Sequence, residues 1–99
     1  MPRKKLRGAL GAWEQAMIDA YYDEQCHMAL DPLFEKFLEW HDNLVTHADL
    51  DAGIHFVHRE MQKIYAFFAQ SRTQVAAQIV ADRAWYERWL ADNPMPDEE

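Results

Sequence analysis

The sequence predicts an all-α protein, a small bundle of three to four helices. Three observations lead there. Apolar residues recur three and four apart through most of the chain. No segment of useful length alternates in the manner of a half-buried strand. Only three Gly and four Pro punctuate 99 residues, so the runs between them are long enough for helices.

The first helix is expected to begin around Leu10 to Ala12, because Gly8 and Gly11 are poor interior helix residues. Leu10, Trp13, Met17, Ala20 and Tyr21 form its apolar face, which Ile18, Tyr22 and Ala29 extend. It is expected to end near Leu30. Asp31-Pro32 then reads as a boundary, with Asp suited to an N-cap and Pro to the first helical position. The second helix should run from Pro32 to about Thr46. Its stripe of Leu33, Phe34, Phe37, Leu38, Trp40, Leu44 and Val45 is broad, which predicts a helix covered on more than one side.

The next break is read at residues 47–53, with Asp49 or Asp51 capping a third helix. Leu50, Ile54, Val57, Met61, Ile64 and Phe68 give that helix the most regular stripe in the chain. From Ala52 to Asp92 there is one glycine, Gly53, and no proline. The last long helical segment is therefore expected to carry one bend or short break, near Ser71, where Ser71 and Gln74 fit a capping box. Val75, Ile79, Tyr86 and Leu90, joined by Trp85 and Trp89, supply the final stripe. Asn93-Pro94 ends it. The expected organisation is a flexible basic arm over 1–8, one helical domain over 9–92 and an acidic tail over 93–99.

Charge is segregated along this chain, whose formal net value is −7. Arg3, Lys4, Lys5 and Arg7 precede a stretch from Ala9 to His58 in which Lys36 is the one basic residue. Such layouts select partners by sign and name no reaction. The single Cys26 excludes an internal disulfide framework and makes a cytoplasmic location the default expectation. Glu14, Gln15 and Asp19 interrupt the apolar residues after the basic start, so neither a signal peptide nor a membrane span is read.

Four constellations carry chemical potential. His41, His47, His55 and His58 lie within 18 residues of one another, beside Asp42, Asp49 and Asp51. They form a candidate metal set, although their spacing matches no His-Glu-x-x-His or di-iron pattern. Asp23, His27 and Asp31 are spaced four apart. Cys26 beside His27 does not make a nucleophile–base pair, since adjacent helical residues diverge by about 100°. The basic arm Arg3, Lys4, Lys5 and Arg7 is the candidate for phosphate contact, without helix-turn-helix or zinc-finger spacing behind it.

Two surfaces remain as candidate protein contacts. Glu14, Asp19, Asp23, Glu24, Glu35, Glu39 and Asp42 suggest an acidic face for a basic partner. Trp85, Tyr86 and Trp89, with Trp40, suggest aromatic anchors of a dimer or partner interface. The leading reading is a small acidic helical interaction protein: an accessory subunit, adaptor or inhibitor, without catalysis, without a cofactor, and homodimeric. A nucleic-acid-associated regulator using the arm and a histidine-based metal protein are the alternatives.

Overall fold

The computed structural model describes residues 2–97, with side chains from Gly8 onward. All of its regular structure is helical, in the order α1 (Pro2–His41), α2 (His47–Phe68), α3 (Arg72–Ala81) and α4 (Arg83–Asp92). The all-α expectation and the number of helices hold. Their boundaries differ from the expected ones at both ends of the chain.

The expected first and second helices are one. α1 begins at Pro2, ahead of the expected start, and carries Gly8, Gly11 and Pro32 in its interior. An interior proline removes one helical hydrogen bond and costs about 3 kcal/mol relative to alanine. Pro32 lies on an exposed side of the helix, where solvent can serve the carbonyl that proline leaves without a donor. Ala29, one turn before it, and Leu33, just after it, are half-buried.

The true end of α1 comes eleven residues after Asp31-Pro32 would place it. Asn43 adopts the left-handed conformation, with φ of 61°. The amide of Asn43 donates to the Trp40 carbonyl at 3.0 Å, and that of Leu44 donates to the Glu39 carbonyl at 2.8 Å. These two bonds are the Schellman pattern, with asparagine in the position that glycine usually takes. The next helix is capped by Thr46, neither Asp49 nor Asp51 being the cap. Thr46 Oγ1 accepts from the Asp49 amide at 3.0 Å, and Asp49 Oδ2 accepts from the Thr46 amide at 3.1 Å.

The break near Ser71 is present. α2 stops at Phe68, and Ser71 caps α3 through the reciprocal box with Gln74. A second break falls at Asp82, which the apolar periodicity did not reveal. Asp82 ends α3 and starts α4, and its Oδ1 accepts from the Trp85 amide at 3.5 Å.

The helices group into two compact units. One comprises the chain up to Tyr21 together with the chain from Gln70. The other is Tyr22–Ala69. α1 supplies a segment to each.

In the first unit, Met17, Val75, Ala76, Ile79 and Trp85 are buried. Trp85 lies edge-on to Tyr21 at 4.8 Å and stacks on Trp89 at 5.9 Å, and Trp89 meets Trp13 at 5.4 Å. The polar ends of these rings are used as well. Trp13 Nε1 donates to the Asn93 carbonyl and the Tyr21 hydroxyl donates to Asp82 Oδ2, both at 2.8 Å. Arg72 donates to Glu14 at 2.6 Å and to the Gly11 carbonyl at 2.5 Å. Residues at the start and end of the sequence are thereby locked together by a ring cluster with satisfied donors.

The second unit is an antiparallel helical hairpin formed by the latter part of α1 and by α2. Three contacts set its register. The Tyr22 ring meets that of Phe68 at 4.9 Å, Leu33 and Lys36 border Gly53, and Trp40 Nε1 donates to His47 Nδ1 at 2.8 Å. A Cβ on Gly53 would come within 3.1 Å of Lys36 Cδ, so the glycine permits close approach at mid-hairpin. Leu50 and Val57 are the only buried large side chains of this unit among the described residues.

Candidate functional site

The aromatic residues expected to form a contact surface divide. Trp85 is 6% exposed and belongs to the interior of the first unit. Tyr86 and Trp89 are half-buried, Trp89 between Trp13 and Trp85. These rings seal a core, and the pairing of Trp89 with Trp13 is what the local spacing of residues 85–90 did not reveal. Trp40 is half-buried and engaged with His47 in the hairpin.

The acidic residues do not share one face either. Glu14 is tied to Arg72, and Asp19 Oδ1 accepts from Gln15 at 2.8 Å. In the hairpin, Glu24, Glu35 and Glu39 fall, with Asp31, within a sector of about 80° on α1. Asp23 lies about 100° from the centre of that sector or more, on a different side of the helix. Asp42 is exposed in the turn that follows.

His41, His47, His55 and His58 are all exposed. No group of three His, Cys, Asp or Glu side chains converges on a metal-sized site among the described residues. His55 instead lies 3.5 Å from Asp51, and His47 accepts the Trp40 bond. The Asp23–His27–Asp31 trio does assemble, at 3.7 and 3.4 Å, on the solvent side of α1. Exposed pairs of this kind contribute little. The side chains of Arg3, Lys4, Lys5 and Arg7 lie outside the described residues. Farther along, Lys63 pairs with Glu60 at 3.2 Å and Arg83 with Glu87 at 3.0 Å. No helix among the described residues is long and apolar enough to cross a membrane.

A different surface stands out. Among the described residues, the exposed large apolar side chains all belong to the hairpin except Met95. Phe34 is 62% exposed, Tyr65 55%, Leu38 46% and Leu30 and Phe37 42%. The broad stripe of residues 33–45, expected to be covered on more than one side, is covered on one. Leu33 and Trp40 turn to α2, while Phe34, Phe37 and Leu38 do not.

The helical period arranges these residues. On α1, Leu30, Phe34, Phe37 and Leu38 follow at i, i+4, i+7 and i+8 and flank the seam with α2. On α2, Ile54, His58 and Tyr65 flank the buried Leu50–Val57 row. Each set is displaced from its seam in the same rotational sense along its own helix. Two antiparallel right-handed helices bring such sets to one side of a hairpin. The result is a single apolar face, with His41 and His47 toward the turn and no Lys or Arg within either stripe.

One residue at the open end of the hairpin shows a local electrostatic effect. The Tyr22 hydroxyl is held above its ordinary pKa, first by its hydrogen bond with the Cys26 thiol, then by desolvation and by the nearby Cys26 and Tyr65. Cys26 is thus half-buried beside a phenol.

The chain matches no protein-family model, no curated protein and no solved structure.

Proposed function

We propose that this chain is a non-catalytic protein-interaction module, an adaptor, inhibitor or accessory subunit, that works through the apolar face of its helical hairpin. The observation that supports this reading is the concentration of exposed large apolar side chains in residues 22–65. Isolated exposed leucines are ordinary on soluble proteins. Several aromatic and aliphatic residues on one side of a hairpin are not, and contiguous patches of this kind mark contact surfaces. Helix-in-groove and helix-on-helix docking both read such i, i+4, i+7 anchors. The acidic sector of Glu24, Glu35 and Glu39 lies beside that face and keeps the neighbouring side of α1 polar.

A photo-reactive phenylalanine analogue at position 34 tests this directly. Irradiation in the native cell should join the hairpin to one defined polypeptide, and the same analogue at position 28, on another side of α1, should not. Equal, diffuse labelling from both positions would overturn the reading. A basic-arm regulator would instead lose its binding on deletion of residues 1–8, with steep salt dependence.

A further inference from the structure

We infer that the occupant of the hairpin's apolar face is a second copy of this chain, so that two hairpins close into a four-helix bundle. This rests on the interaction-module reading and names its partner. A two-helix hairpin cannot enclose a core by itself, and here only Leu50 and Val57 are buried within it. The face left open is large. Leu30, Phe34, Phe37, Leu38, Ile54 and Tyr65 are each 40–62% exposed. At about 150–250 Å² for a whole aromatic side chain and somewhat less for an aliphatic one, they offer roughly 600 Å² together. With the histidines at the edge, that approaches the roughly 800 Å² per partner of a standard interface.

The charge layout permits a copy on this face. Neither stripe contains Lys or Arg. Most acids of α1 occupy the separate sector of Glu24, Asp31, Glu35 and Glu39. Two copies meeting face to face turn those sectors away from each other and bury like apolar surfaces. A two-fold axis needs that self-complementarity, since one patch serves both sides. Four-helix bundles join side chains of this size from antiparallel neighbours.

Sedimentation equilibrium of the full chain reads the outcome. Wild-type protein should have twice the 11.7 kDa chain mass at micromolar concentration. Phe34→Glu with Leu38→Glu should raise the dissociation constant by at least about thirtyfold, as loss of a central anchor does. Met28→Glu is the control, because Met28 is 64% exposed but points to another side of α1. It should leave the mass unchanged. Circular dichroism of each variant separates dissociation from unfolding. If the double variant loses its helix signal, the photo-reactive analogue at position 34 in the otherwise native chain decides, since it should yield a covalent dimer. Monomeric wild type at every concentration, or equal weakening by Met28→Glu, overturns the second copy. A monomer whose position 34 still crosslinks to one other polypeptide overturns the second copy and leaves the module reading standing. A monomer that crosslinks to nothing removes both.

Discussion

The two units use nearly the same kinds of residue to opposite effect. The unit built from the chain before Tyr22 and after Ala69 buries Met17, Val75, Ala76, Ile79 and Trp85, and its rings pack on one another. The hairpin of residues 22–69 buries Leu50 and Val57 and leaves Phe34, Phe56, Leu44 and Tyr65 more than half exposed. The difference follows from helix number. In the first unit, segments of α1, α3 and α4 close around a centre, so each bulky side chain meets another. In the hairpin, two helices share one seam, and large apolar side chains outside it stay exposed. Apolar content alone does not make a core; closure does.

The largest test of this contrast sets Trp85 against Phe34. Trp85→Ala should destabilise the chain by about 3–5 kcal/mol, because it removes a buried ring and opens a cavity beside Tyr21 and Trp89. Phe34→Ala should change the stability of dilute monomer by no more than about 0.5 kcal/mol, as exposed substitutions do. At high protein concentration the same Phe34 variant should lose stability that self-association adds by mass action. Thermal unfolding at two concentrations checks all three statements. A large cost for Phe34→Ala in dilute solution would mean that the hairpin is already closed without a partner.

Pro32 provides the next largest effect, and it compares what local sequence favours with what the helix does. If α1 were two helices meeting at Asp31-Pro32, replacing the proline would lose a good first-turn residue. In a continuous α1 the replacement restores a donor for the Met28 carbonyl and removes the ring's clash. Pro32→Ala should therefore stabilise the protein by about 1–3 kcal/mol, the propensity gain less the entropy returned to the unfolded chain. Denaturant unfolding gives the sign directly, and destabilisation would place a helix boundary at residue 31.

Local chemistry was readable from the sequence where it acts within a few residues. The Ser71–Gln74 box, the Asn93-Pro94 stop and the apolar face around Met17 could all be read from spacing. What escaped was chemistry set by distant partners. Trp85 and Trp89 looked like surface anchors because Trp13 and Tyr21, more than sixty residues earlier, are what cover them. Asp82 sits within an apolar periodicity that shows no break, and its second role, accepting from Tyr21, is equally remote. The broad stripe at 33–45 was visible, but periodicity reports which residues are apolar and not whether a second helix arrives to cover them. The hairpin turn was misplaced for a subtler reason. Asn43 closes it in a left-handed conformation that glycine usually signals, while Gly53 serves close packing against Lys36.

The smallest expected effect compares the two capping boxes. Both hold a helix start by a reciprocal pair of bonds, Thr46 with Asp49 in the hairpin and Ser71 with Gln74 in the other unit. Only the first contains a titratable group. The Asp49 carboxyl is held below its ordinary value, chiefly by its bond from the Thr46 backbone amide and then by the Thr46 side chain, with Lys36 assisting. A carboxylate whose pKa is lower in the folded state contributes stability that is complete above the unfolded value and is lost as pH falls through the folded one. Acid should thus loosen the first turn of α2 while the first turn of α3, whose box is closed by the Gln74 amide, keeps its protection. Hydrogen exchange at Asp49 and Leu50, corrected for intrinsic rates and set against Gln74 and Val75 between neutral pH and pH of about 3, resolves the two turns. Asp49→Asn should abolish the difference in pH response between them. Parallel loss of protection in both turns would show that acid acts on the whole chain, and the hairpin cap would then have no separate titration.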